Sequence, residues 1–281
     1  MTVTTDRPPE TLGSARRNAV KSARVAYYRS PRLVRLWRNY GGFLVVGVIW
    51  ALVALRVSET TLPSPAAVWQ SLESTLTRGV FPAYVVSTLK HVGFASLTGI
   101  AIGIPLGVLV ALSRRVADFV TPLLTFFQAL SGIAWIPMLI IWFGFSEKSV
   151  ILVIIYAVIF PVVLNTATGV RTIPSIYLKA ARTMGATRWQ TIRDVIFPGA
   201  LPNVFTGVRL GIAYGWRAAI AAEIIISTGG LGLMIFEARE INDIPRIVLG
   251  MITIGTLWVV LDRTFLKPLE RATIERWGTV S

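Results

Sequence analysis

Six largely apolar segments dominate this chain, at Gly41–Val57 and at about 84–112, 118–144, 149–170, 203–228 and 247–266. About 20 consecutive apolar residues in a helix cross the ~30 Å hydrocarbon core of a bilayer, so all but the first have full spanning length and the first lies near the short limit. With 54% apolar residues, 15% charged ones and a mean hydropathy of +0.65, the composition is too apolar for a soluble domain of this size. The expected fold class is an all-α polytopic membrane protein with about six transmembrane helices. The third span is interrupted by Pro122, Gln128, Ser131, Gly132 and Pro137, which suits either one kinked helix or a helix followed by a re-entrant piece. Leu62-Pro63-Ser64-Pro65 breaks any helix leaving the first span.

The formal net charge is +14, which in a soluble protein would suggest a nucleic-acid partner. Its distribution argues otherwise. With both termini placed inside, the expected cytoplasmic parts hold 20 basic and 7 acidic residues and the outer loops 5 and 6. That asymmetry is an orientation signal, and nucleic acid drops out as a partner. Residues 1–40 read as a basic cytoplasmic tail without the apolar core of a cleavable signal. The remaining divisions are a first span with its outer loop at 41–83, a core transmembrane domain at 84–266, and a cytoplasmic tail at 267–281. Without cysteine, and with His91 as the lone histidine, no disulfide framework, thiolate metal site or histidine-rich metal site is expected.

Gly99, Gly103 and Gly107 recur at every fourth position of the second span, and Gly207, Gly211 and Gly215, followed by Ala219, do so in the fifth. Rows of small residues let helices approach closely in lipid, so each row predicts a helix contact. Arg217 and Glu223 are ionisable groups inside the fifth span. Such groups face a neighbouring helix or a water-filled cavity, and the two are candidates for a translocation pathway or for an interhelical hydrogen bond or ion pair. Lys90 and His91, near the outer start of the second span, are expected to snorkel to the interface.

The longest inner loop, 171–202, has the makeup of an ordered knob. Pro174 followed by Ile176, Leu178, Ala180, Ala181 and Met184 predicts a short amphipathic helix, and Gly185 supplies a permissive break. Trp189, Ile192 and Ile196 continue an apolar face that Pro198 is expected to stop. With Arg182 and Arg188 at its edges, the knob suits either a groove on a cytoplasmic partner or the inner membrane surface.

Lys179-Ala180-Ala181, three residues, Gly185, nine residues, Val195, one residue, Phe197 and Pro198 resembles the EAA loop of binding-protein-dependent ABC importer permeases, with the spacing intact. Lys179 stands for the usual glutamate, Val195 for isoleucine and Phe197 for leucine, and the first change reverses a charge. Further stretches, among them Gly103-Ile-Pro-Leu-Gly107, Ala134-Trp-Ile-Pro137, Thr206-Gly-Val-Arg-Leu-Gly211 and Ala221-Ala-Glu223, extend the likeness from Leu62 to Trp277 and narrow it to the nitrate, sulfonate and taurine branch. The resemblance implies a type I importer permease in a bacterial inner membrane, working with a second copy of itself, two ATPases and an external binding protein. It assigns Lys179, Ala180, Ala181, Arg182, Gly185, Ala186, Thr187, Arg188 and Trp189 to ATPase coupling, and a small anion as the solute.

None of the five lysines follows a glycine, so the chain has no Gly-Lys-Ser/Thr of a phosphate-binding loop. No cofactor is expected in this chain, with ATP and Mg held by a partner ATPase. A secondary transporter is the alternative, but only Glu223 lies clearly inside a span as a coupling carboxylate, and no internal repeat is visible. A membrane hydrolase would need a base or second carboxylate near Glu223 in its span, and there is none.

Overall fold

A computed structural model describes residues 32–270, with side chains from residue 41; the ends of the expected tails, 1–31 and 271–281, lie outside the described residues. Two compact units divide at Pro65. In the first, α1 (Arg32–Ala54) starts within the basic segment and carries the apolar stretch Gly41–Ala54. The chain then leaves the helix, and the Trp50 indole N–H donates to the Pro63 carbonyl at 3.1 Å.

The second unit begins with α2 (Pro65–Thr77) and α3 (Val80–Leu112), followed by α4 (Arg114–Ala129), a 3-10 turn (Gly132–Trp135) and α5 (Ile136–Phe143). It continues through α6 (Glu147–Arg171), α7 (Ser175–Thr183), α8 (Arg188–Ile226), α9 (Gly230–Glu240) and α10 (Ile244–Glu270). Helices α3, α6, α8 and α10 are each long and apolar enough to cross a bilayer. The interrupted third span is a broken pair, α4 against Gly132–Phe143, bent by 87°. At the elbow Leu130 and Ser131 are extended, and the Tyr156 hydroxyl of α6 donates to the Phe127 carbonyl at the end of α4. Pro137 sits in the first turn of α5, where its missing N–H costs no helix bond.

Both glycine rows close on the same helix. A Cβ placed on Gly99 would stand 2.9 Å from Val158 Cγ1, and one on Gly103 would stand 2.8 Å from Val162 Cγ1, both on α6. From the other side, a Cβ on Gly215 would stand 2.7 Å from Val158 Cγ2, and one on Gly207 would stand 2.9 Å from the Pro161 carbonyl oxygen. Helix α6 is therefore clasped between α3 and α8, and Val150, Val153, Ile154, Val158, Val162 and Val163 are fully buried along it. Hydrophobic exclusion gives helices no reason to associate inside lipid, so this close backbone approach supplies the packing that holds the bundle.

One expectation is corrected here. Pro198 does not stop the knob's second helix: α8 runs on through it, because a π turn at Ile192–Ile196 widens the helix just ahead of the proline. A proline ring lacks an N–H and clashes with the carbonyl four residues earlier, and the wider turn absorbs both defects. The same device recurs in α10, where the π turn Asp262–Leu266 precedes Pro268. Between α8 and α10 the short helix α9 packs against α3, α8 and α10.

Candidate functional site

The knob's geometry follows from its local sequence. Helix α7 ends in a Schellman cap, in which the Ala186 N–H donates to the Ala181 carbonyl and the Gly185 N–H to the Arg182 carbonyl, each at 3.0 Å. This cap requires a left-handed residue, and Gly185 has φ +77°. Directly afterwards, Thr187 and Gln190 form a capping box that starts α8: the Thr187 hydroxyl accepts from the Gln190 N–H and the Gln190 amide oxygen from the Thr187 N–H. Only Met184 to Thr187 separate the two helices, and the back-to-back caps bond that turn at both ends, so the knob is preorganised. Ala181 is buried beneath the turn, whereas Lys179, Ala180, Arg182, Gly185, Thr187, Arg188 and Trp189 are exposed and Ala186 is half-buried. Met184 is 85% and Trp189 69% exposed at the tip.

The structure separates the two ionisable residues of the fifth span. Arg217 is exposed on a cavity of about 390 Å³ beside the α4–α5 elbow, with Gln128, Ser131, Tyr156 and Tyr214 also in its wall. Its guanidinium lies 5.7 Å from the Tyr214 ring centroid and forms no ion pair among the described residues. Glu223, two turns on, is fully buried and away from that cavity.

Around Glu223 three helices meet. The Thr88 hydroxyl donates to Oε2 at 2.9 Å, the Gly232 N–H donates to Oε2 at 3.0 Å, and His91 Nδ1 lies 2.9 Å from Oε1. Thr88 Oγ1 in turn accepts from the Leu231 N–H at 2.8 Å. The carboxylate thus satisfies the Gly232 N–H directly and orients the Thr88 hydroxyl that satisfies the Leu231 N–H, two N–H groups in the first turn of α9, where negative charge is also favoured by the helix dipole. A Cβ on Gly230 would fall 2.3 Å from this carboxyl group, so only glycine fits there. His91 is 4% exposed and turned inward, which corrects the expectation that it snorkels; Lys90 beside it is exposed. Helical geometry accounts for the difference, since adjacent residues point about 100° apart.

A further network is not legible in the sequence. Arg209 of α8 donates from Nε to Asp262 Oδ1 and from Nη1 to Glu270 Oε2, each at 2.9 Å, and Lys267 Nζ lies 3.4 Å from Asp262 Oδ2. The acids lie 53 and 61 residues away in sequence, and no local spacing pairs them with Arg209.

Helices of membrane-spanning length clasped on one central helix, with a cavity among them and a capped knob at one end, define an all-α membrane protein. Residues 103–264 match the family described as binding-protein-dependent transport system inner membrane components, and the chain belongs to it. It is similar to the taurine transport system permease protein TauC of Escherichia coli, with 31% identity over 90% of this chain and 94% of the relative. It is also similar to the nitrate import permease protein NrtB of Synechocystis, with 31% identity over 89% and 92% of the two chains. Among solved structures, a chain of the MetNI methionine ABC transporter in an inward-facing conformation superposes with a TM-score of 0.60 at 20% identity, covering 72% of this chain and 98% of that one, a likeness of fold. The protein is therefore an inner-membrane permease subunit of an ABC importer, and ATP hydrolysis belongs to a separate subunit.

Proposed function

We propose that two copies of this chain form the pathway for a small anion, which an external binding protein delivers and two ATPases drive. The termini then face the cytoplasm, and the Gly185 knob, from Lys179 to Trp189, carries the ATPase stroke into α8. The back-to-back caps around Gly185 carry this reading. A knob without internal slack transmits displacement, and α8 runs unbroken from it to the node at Glu223, so movement of the knob can tip the bundle between inward-open and outward-open states.

Arg217 supplies the charge on the path. It is a cation without an ionic partner among the described residues, set in a cavity beside an aromatic face and polar groups, which suits a sulfonate or nitrate head. The taurine and nitrate importers among the relatives move solutes of this chemistry. Glu223 serves the path from behind, by holding α9 in place. Uptake in proteoliposomes containing the chain, its ATPase and its binding protein tests the assignment: transport should require all three and ATP, and uptake driven by an ion gradient without the ATPase would refute it.

A further inference from the structure

The knob is basic as well as apolar. Lys179, Arg182 and Arg188 are exposed and form no ion pair among the described residues, and Asp194 is the one acidic residue between Arg171 and Arg209. The fold does not account for all three. Arg182 in the last turn of α7 favours the helix dipole, but Arg188 in the first turn of α8 opposes it. Between these cations stand Met184 and Trp189, the apolar tip.

Length decides what the tip can touch. Helix α8 has 39 residues, and at 1.5 Å per residue it is about 58 Å long. A bilayer including its headgroups is about 40–45 Å thick. With the far end of α8 level with one surface, the knob end projects about 15 Å beyond the headgroups of the other, and the usual tilt of about 20° removes only a few ångströms. In that placement phospholipid headgroups are out of the tip's reach, which leaves a protein surface as the counterpart of its charge.

We infer that the docking pocket on the ATPase subunit is apolar at its floor, taking Met184 and Trp189, and acidic at its rim, facing Lys179, Arg182 and Arg188. This rests on the docking role proposed above and adds the chemistry of the partner. Desolvated apolar anchors supply most of the affinity at such an interface, while rim charges set partner choice and association rate.

The test is binding of the ATPase to the full-length chain, in detergent and in nanodiscs of neutral or anionic lipid, across a range of ionic strength. Affinity should fall as salt rises. It should also fall in the order Lys179, Lys179→Gln, Lys179→Glu, with about a fivefold loss for the reversal and a larger loss for Lys179→Glu combined with Arg188→Glu. Reversing an acidic rim residue on the ATPase should restore binding to Lys179→Glu. Salt-insensitive binding, or equal or tighter binding of Lys179→Glu, would overturn the acidic rim. Sensitivity confined to anionic nanodiscs would overturn it in favour of headgroups. If the unaltered chain bound no ATPase at all, the docking role would fall, and the rim with it.

Discussion

His91 Nδ1 of α3 lies 2.9 Å from Glu223 Oε1 of α8, in a site where both side chains are buried. The remaining carboxylate oxygen holds α9, so one side chain ties α8 to the helix that follows it and to α3, 132 residues earlier in sequence. Glu223→Ala leaves the Thr88 hydroxyl and the Gly232 N–H buried without their acceptor. The expected cost is about 1–3 kcal/mol for each stranded group, seen as a lower Tm in detergent and as new protease cleavage near Ser227–Gly229. Glu223→Gln, which retains an acceptor oxygen, should lose less; equal losses for the two variants would refute the hydrogen-bonded node.

The glycine rows predict a ranking. The nearest neighbours of a Cβ on Gly99 or Gly103 are valine side chains, which can shift, whereas on Gly107 it would also meet the Val163 carbonyl oxygen at 2.7 Å and on Gly207 the Pro161 carbonyl oxygen at 2.9 Å. Alanine at Gly107 or Gly207 should therefore destabilise by about 1–3 kcal/mol and more than alanine at Gly99 or Gly103. Thermal unfolding of the four variants checks the order.

At Gly185 the backbone rather than space is limiting: a Cβ there would meet nothing within 4 Å, but φ is +77°. Gly185→Ala should cost about 1–2 kcal/mol locally and reduce coupling. Gly185→Pro should do far more, because proline cannot adopt this φ and removes the N–H that donates to Arg182. The ratio of solute moved to ATP hydrolysed is the measurement, and normal coupling in Gly185→Pro would end the docking assignment.

For Arg217 the prediction concerns uptake with stability unchanged. Arg217→Ala removes an exposed cation, so stability should hold within about 0.5 kcal/mol while anion uptake falls, with Arg217→Lys intermediate. Undiminished uptake by an intact Arg217→Ala complex would take this residue off the path.

Arg209 bridges Asp262 and Glu270, joining α8 to α10. Arg209→Met should loosen α10 from α8, and hydrogen exchange along 262–270 should quicken. Asp262→Asn, which keeps one acceptor oxygen, should have a smaller effect.

Much of this protein was readable along the chain because the features concerned are local. Apolar runs of spanning length mark the helices, and Gly185 followed by Thr187 and Gln190 encodes two caps whose hydrogen bonds close within five residues. The interruption of the third span was also legible, but not its turn of 87°, which depends on Tyr156 reaching over from α6 to the end of α4. Pro198 misled because a proline normally ends a helix, and nothing in its neighbours announces the π turn that accommodates it.

What the sequence determined by itself was therefore the class of molecule, its orientation signal and the chemistry of the knob, all properties of residues within a few turns of one another. Tertiary structure decided which faces meet. Only packing brings both glycine rows onto α6, turns His91 inward to Glu223 while leaving Lys90 exposed, and sends Arg217 to a cavity and Glu223 to the core. Arg217 and Glu223 are six residues apart and so point about 120° away from each other on an ideal helix, and what each meets is chosen by neighbouring helices that spacing alone cannot place.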